Sequence, residues 1–131
     1  RASCISCSGV TRAGFLAGAI AVMQAWGFSY KSHFAWFKER AGRGRGTGYW
    51  NTNEHELLLI GTRGNVPCPA PGTQFPSAIV APVGRHSEKP AFAYEIIERY
   101  FPHLPKIELN ARSARDGWDV WGLEAPAEVA A

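Results

Sequence analysis

The sequence is poor in the residues that several common protein classes depend on. It has three cysteines and one methionine in 131 residues. Three thiols cannot all pair within one chain. Cys4 and Cys7 form a CxxC, but no second CxxC and no spaced Cys/His pair follows to complete the roughly four ligands of a structural zinc site. The expectation is free thiols in a reducing, cytoplasmic compartment. His33, His55, His86 and His103 share no ligand spacing, so no metal is expected. No apolar run approaches the roughly 20 residues that span a bilayer. The longest, Ala13 to Trp26, is broken by Gly14, Gly18 and Gln24. The N-terminus lacks the signal-peptide order of charge, apolar core and cleavage site. The chain opens on Arg1 rather than Met, as expected of a fragment of a longer reading frame. Internal repeats and low-complexity tracts are also missing.

What is present suits one small globular domain. Hydrophobic residues make up 46% and aromatics 12%, with five Trp, which argues against intrinsic disorder. The net charge of +3 permits a nucleic-acid partner without demanding one. Ala13 to Trp26, with Leu16, Ile20 and Met23 at helical spacing, predicts a helix, and Gly27 a C-cap. Phe28 to Phe37 is aromatic and partly alternating, which predicts a strand. Glu56 to Thr62 reads as a buried strand, Ala78 to Val83 as a short one, and Lys106 to Ala111 as a third. Between the last two, Pro90 opens a helix with Phe92, Ile96, Ile97 and Tyr100 on its apolar face. The alternation implies an α/β layered sheet with helices on its faces. Ligands of such sheets lie beyond the carboxyl ends of strands. That singles out the loops Glu39 to Asn53, Gly84 to Lys89 and Arg112 to Gly122.

The glycine-rich run from Gly42 to Gly48 lacks the helix that a dinucleotide-cradling loop requires after it. It reads instead as a loop presenting Arg43 and Arg45 to an anionic ligand. Lys31, Lys38, Arg40, Arg43 and Arg45 are interleaved with Tyr30, Phe34, Trp36, Tyr49 and Trp50. Cations beside flat rings are what hold nucleic-acid backbones and stack bases. A basic loop beside core aromatics fits the same composition equally well. Asn51, Asn53, Glu54, His55 and Glu56 form a polar cluster that could read a base edge or be an ordinary turn. Ser87 could cap the following helix, with Lys89 beside its anion-welcoming start. Trp118 and Trp121 either line a site or close the core.

Three segments taken together resemble one family. They are Gly46-Thr47-Gly48-Tyr49-Trp50 followed by Glu54 to Gly61; His86-Ser87-Glu88-Lys89-Pro90; and Ile107-Glu108-Leu109 with Arg112 and Gly117 to Gly122. In order and spacing the set is similar to the adenine N(6)-methyltransferases of the MT-A70 family, in their compact bacterial and phage form. The resemblance implies a partial Rossmann-like, S-adenosylmethionine-dependent methyltransferase sheet with flanking helices. Residues 1–131 would be a single, incomplete methyltransferase domain, with an atypical segment at 1–9 and a frayed tail at 125–131.

The cofactor implied is S-adenosylmethionine, held by Lys89, Asn110, Arg112 and Glu124. The acceptor implied is adenine in DNA or RNA. Tyr49 and Trp50 would form a gate over the base, and Asn51, Asn53 and Glu54 would lie near it. The sequence departs from the family at three places. It contains no Asp-Pro-Pro, so the motif carrying the catalytic aspartate is missing and the chain alone is expected to be inactive. Asn110 stands where an aromatic is usual, and Leu123 where Asn is usual. The rival readings are a catalytically inactive nucleic-acid-binding module or partner subunit, and a degraded product of low stability.

Overall fold

The computed structural model describes residues 4–11, 13–39, 48–85 and 88–126. Two compact units emerge, one ending at Tyr100 and the other beginning at Phe101. The first contains β1 (Cys4–Thr11), a short 3-10 turn (Ala13–Phe15), α1 (Leu16–Ala25), β2 (Ser29–Glu39), β3 (His55–Arg63), β4 (Ala78–Pro82) and α2 (Ala91–Tyr100). The second contains β5 (Lys106–Leu109) and β6 (Trp118–Trp121).

The helices and strands form for local reasons. α1 is rich in Ala, a strong helix former, and ends in a Schellman-type cap. The Phe28 amide donates to the Met23 carbonyl (3.0 Å) and the Gly27 amide to Gln24 (2.9 Å). Gly27 supplies the left-handed φ of 84° that this motif requires. Phe28 then packs with Met23, the apolar contact that usually accompanies such a cap. α2 starts directly after Pro90; of the expected face Ile96 is buried and Phe92, Ile97 and Tyr100 are half-buried, and Ala93, outside that face, is buried as well.

The sheet of the first unit has the order β1-β3-β2-β4. β3 runs antiparallel to both neighbours, and β4 lies parallel to β2. Three strands therefore share one direction, with β3 reversed between two of them. Leu57, Leu58 and Leu59 are buried in succession on β3. Alternate residues of a strand face opposite sides, so both faces of this sheet are covered. On one face Phe34 and Leu58 meet Ala93 and Ile96 of α2. On the other, Leu57 and Leu59 meet Met23 of α1.

Gly61 sets how closely α1 approaches. A Cβ at that position would collide with the Met23 sulfur, 2.5 Å away. We predict that Gly61→Val lowers stability by about 1–3 kcal/mol through overpacking, read as a lower denaturant midpoint with an unchanged slope. Gly14→Ala serves as the control, because nothing lies within 4 Å of a Cβ there.

The structure revises several expectations. The segment from Cys4, expected to be atypical and unlike a strand, pairs with β3 from Cys4 opposite Arg63 to Thr11 opposite Leu57. A strand has few sequence-local requirements once a neighbour supplies the ladder, so weak local propensity is a poor guide here. Trp118–Trp121, expected within a loop, is the strand β6 parallel to β5. The even-numbered pattern from Phe28 to Trp36 is not one continuous face, because the register shifts between Tyr30 and Ser32. Ile107 and Leu109 do share a face, but that face is exposed. Among the described residues, the second unit holds no helix that could cover it.

Candidate functional site

In the first unit, β2 and β3 run antiparallel, so the end of β2 lies beside the start of β3. The turn that enters β3 carries Gly48, Tyr49, Trp50, Asn51, Asn53 and Glu54. Gly48 packs so tightly that a Cβ there would clash with the Asn51 carbonyl oxygen and sit 3.0 Å from the Asn53 amide nitrogen. The turn is closed on itself, and its two aromatic side chains point into solvent. Tyr49 and Trp50 are fully exposed, at 107% and 100%. Asn51 is exposed, while Asn53 and Glu54 are half-buried. The Lys38 amide donates to the Glu54 carbonyl at 2.9 Å, which ties the turn to β2.

The other aromatics and cations of this region have different roles. Phe34 and Trp36 are core residues, at 5% and 3% exposure, so they cannot stack a base. Lys38 is ion-paired with Glu56, and both side chains are mostly buried. The Lys38 ammonium also stands 5.5 Å from the centre of the Trp36 ring. Of the interleaved set, Tyr49 and Trp50 are the two aromatics wholly available to a ligand, and Tyr30 is exposed on the far half of β2 beside His33 (2.5 Å between Tyr30 Oη and His33 Nδ1). Arg40, Arg43, Arg45, His86 and Ser87 lie outside the described residues.

Lys89 is exposed at the entrance to α2, just before buried Pro90. The preceding turn is closed by Glu88, whose carboxylate accepts the Arg85 amide at 2.7 Å while the Glu88 amide donates to the Arg85 carbonyl at 2.9 Å.

In the second unit, β5 and β6 are parallel, so their carboxyl ends coincide. Asn110 follows β5 directly and takes a left-handed φ of 62°, which Asn tolerates better than most residues. The Ala111 amide donates to the Trp121 carbonyl at 3.0 Å and joins the two strand ends. Arg112 and Glu124 form an ion pair at 3.3 Å, with side chains 48% and 69% exposed. A pair this open contributes at most about 1 kcal/mol to stability. Three of the four residues expected to hold a cofactor are thus brought together at the carboxyl ends of two parallel strands, where an α/β sheet places its ligands. Lys89 belongs to the other unit. Leu123, at 107% exposure, contributes no polar group.

Trp36, Lys38 and Glu56 were not read from the sequence as a unit. Lys38 and Glu56 are eighteen positions apart, and only the β2–β3 register makes them neighbours.

The family model for MT-A70 matches residues 9–124. The chain is 38% identical over 112 residues to the type II methyltransferase M.MunI of Mycoplasma sp, covering 85% of this chain and 46% of that protein. It is 33% identical over 103 residues to the N(6)-adenosine-methyltransferase MT-A70-like protein of Arabidopsis thaliana, covering 73% of this chain and 15% of that one. It is 34% identical over 94 residues to the human N(6)-adenosine-methyltransferase catalytic subunit METTL3, covering 69% of this chain and 16% of that subunit. The chain thus spans less than half the length of each of these relatives. With the family pattern running through nearly all of its residues, this chain belongs to the MT-A70 family of methyltransferases.

Proposed function

We propose that this chain is part of an S-adenosylmethionine-dependent methyltransferase that acts on the exocyclic amine of adenine in DNA or RNA. Membership of the family over residues 9–124 carries this reading. The chemistry of the exposed groups supports it. Arg112 offers a guanidinium suited to a carboxylate, and Lys89 an ammonium. Glu124 offers a carboxylate suited to a ribose diol. Arg112 and Glu124, which share one unit, fit an amino-acid nucleoside, and when bound S-adenosylmethionine would supply an electrophilic methyl group.

The chain's own contribution is binding and orientation. Tyr49 and Trp50 present flat faces to a base, which must be unstacked from a duplex or already single-stranded. The amides of Asn51 and Asn53 and the carboxylate of Glu54 suit the donor and acceptor pattern of adenine. Holding an acceptor amine in line with a donor supplies much of the rate in a displacement of this kind. The sequence contains no Asp-Pro-Pro, so this chain alone is proposed to bind without turning over. We place it in the cytoplasm, where thiols such as exposed Cys68 stay reduced. Among the described residues no helix is long and apolar enough to cross a membrane.

The test is calorimetric titration with S-adenosylhomocysteine. Saturable binding is expected, and Arg112→Ala should weaken it roughly 10- to 100-fold, the worth of a charge-assisted hydrogen bond. An absence of heat from the wild-type chain would sink the cofactor reading. A second reading, a nucleic-acid-binding module or partner subunit without catalysis, is favoured by the complete exposure of Tyr49 and Trp50. Methyl transfer to an adenine-containing strand by this chain would exclude it.

A further inference from the structure

Three residues at the end of β2 each hold a different piece of the proposed machinery. Trp36 is buried, yet its indole N–H donates to the Ala81 carbonyl on β4 at 3.0 Å. Its ring meets Phe92 of α2 edge-on at 6.2 Å. Phe92 lies three residues after Lys89, and Ala81 begins the run that leads to Gly84 and Arg85, which Glu88 holds by two hydrogen bonds. Lys38 reaches the other way. Its backbone amide holds the Glu54 carbonyl, and its ammonium pairs with Glu56 while lying over Trp36. Glu39 completes the set, its carbonyl accepting the Val83 amide at 3.2 Å.

The base-side turn (Tyr49 to Glu54) and the Lys89 turn are therefore fastened to one short stretch of one strand. A buried tryptophan that spends its only donor on an edge strand, and a mostly buried lysine that spends its charge on Glu56, leave neither turn free to shift alone.

We infer that Trp36, Lys38 and Glu56 are positioning residues that hold the acceptor-side turn and the Lys89 turn in register, so that occupancy at one favours binding at the other. The inference rests on the function proposed above. It assigns these three residues no contact with either ligand. The Lys38–Glu56 pair is the adjustable element. It fixes the β3 entrance from the side chain, whereas the hydrogen bond from the Lys38 amide to Glu54 survives any substitution at Lys38 other than proline.

The experiment is a linkage measurement on the 131-residue chain. The dissociation constant of S-adenosylhomocysteine is measured with and without a saturating single strand of alternating adenine and thymine. The reciprocal titration is also done, because coupling must be equal in both directions. In the wild-type chain each ligand should tighten the other about tenfold, within the usual range for coupled sites. Lys38→Met should leave the S-adenosylhomocysteine constant measured alone within about twofold, while the coupling falls to near unity. Glu56→Gln should do the same, and it decides the matter if Lys38→Met melts out. The exchanged pair, Lys38→Glu with Glu56→Lys, should restore the coupling, which would assign it to the pair and not to either side chain alone. Wild-type binding of both ligands without coupling, or full coupling in a folded Lys38→Met, overturns the inference and leaves the proposed function standing. A wild-type chain that binds neither ligand overturns both.

Discussion

Leu59→Ala should strip the chain of a large part of its stability and melt well below the parent. Leu59 is the large aliphatic residue with no exposure at all, and it stands with Met23 and Leu57 between β3 and α1. Removing a buried leucine costs about 2–5 kcal/mol, from lost transfer energy and from the cavity left behind. Whole domains are stable by only about 5–15 kcal/mol. The cavity would open where Gly61 lets Met23 touch the sheet, and α1 is held by an approach that close packing alone sustains. A circular-dichroism melt should show a midpoint lowered by roughly 10–30 °C, at about 4–8 °C per kcal/mol for a unit of this size. Leu109→Ala is the comparison. That side chain is half exposed, and its removal should change stability by no more than about 0.5 kcal/mol. If the two variants melt alike, Leu59 does not carry the packing of α1 on β3.

Trp50→Ala should have the opposite signature, with a large drop in binding and unchanged stability. Its side chain is fully exposed, so no packing among the described residues depends on it. Stacking of a base on an aromatic ring is worth about 1–3 kcal/mol, so affinity for an adenine-containing single strand should fall roughly 5- to 150-fold at fixed salt. The salt slope should not change, because tryptophan neutralises no phosphate. Replacing Arg43 or Arg45 should do the reverse, weakening binding across all sequences and lowering the slope by about one for each phosphate no longer neutralised. Fluorescence anisotropy at several salt concentrations separates the two effects. A Trp50→Ala chain that binds like the parent would remove Tyr49 and Trp50 from the acceptor site.

The same region shows why composition alone left two readings open. Tyr30, Phe34, Trp36, Tyr49 and Trp50 look equivalent as letters beside five basic residues. The structure divides them: Phe34 and Trp36 go to the core, and Tyr49 and Trp50 to solvent. Lys38 likewise reads as part of a basic loop and is instead half of an ion pair with Glu56. Neither outcome is encoded within a few residues of the side chain concerned. Each follows from the face of β2 that is buried, and a register shift between Tyr30 and Ser32 intervenes before that face is set.

Features that depend on neighbours along the chain are already set in the linear order of residues. Met23, Gly27 and Phe28 carry their own cap, the spacing of Phe92, Ile96, Ile97 and Tyr100 makes α2, and the three leucines of β3 announce a strand buried on both sides. The ordered family segments, from Gly48-Tyr49-Trp50 through Lys89 to Arg112, were legible for the same reason, since motif spacing is a property of the linear chain. Only the tertiary structure decided the reversed direction of β3, the strand at Cys4–Thr11, the parallel β5–β6 pair that gathers Asn110, Arg112 and Glu124, and the meeting of Trp36, Lys38 and Glu56. Those features arise from hydrogen-bond ladders and side-chain packing between distant segments, where the energy lies in the pairing and neither partner carries the information alone.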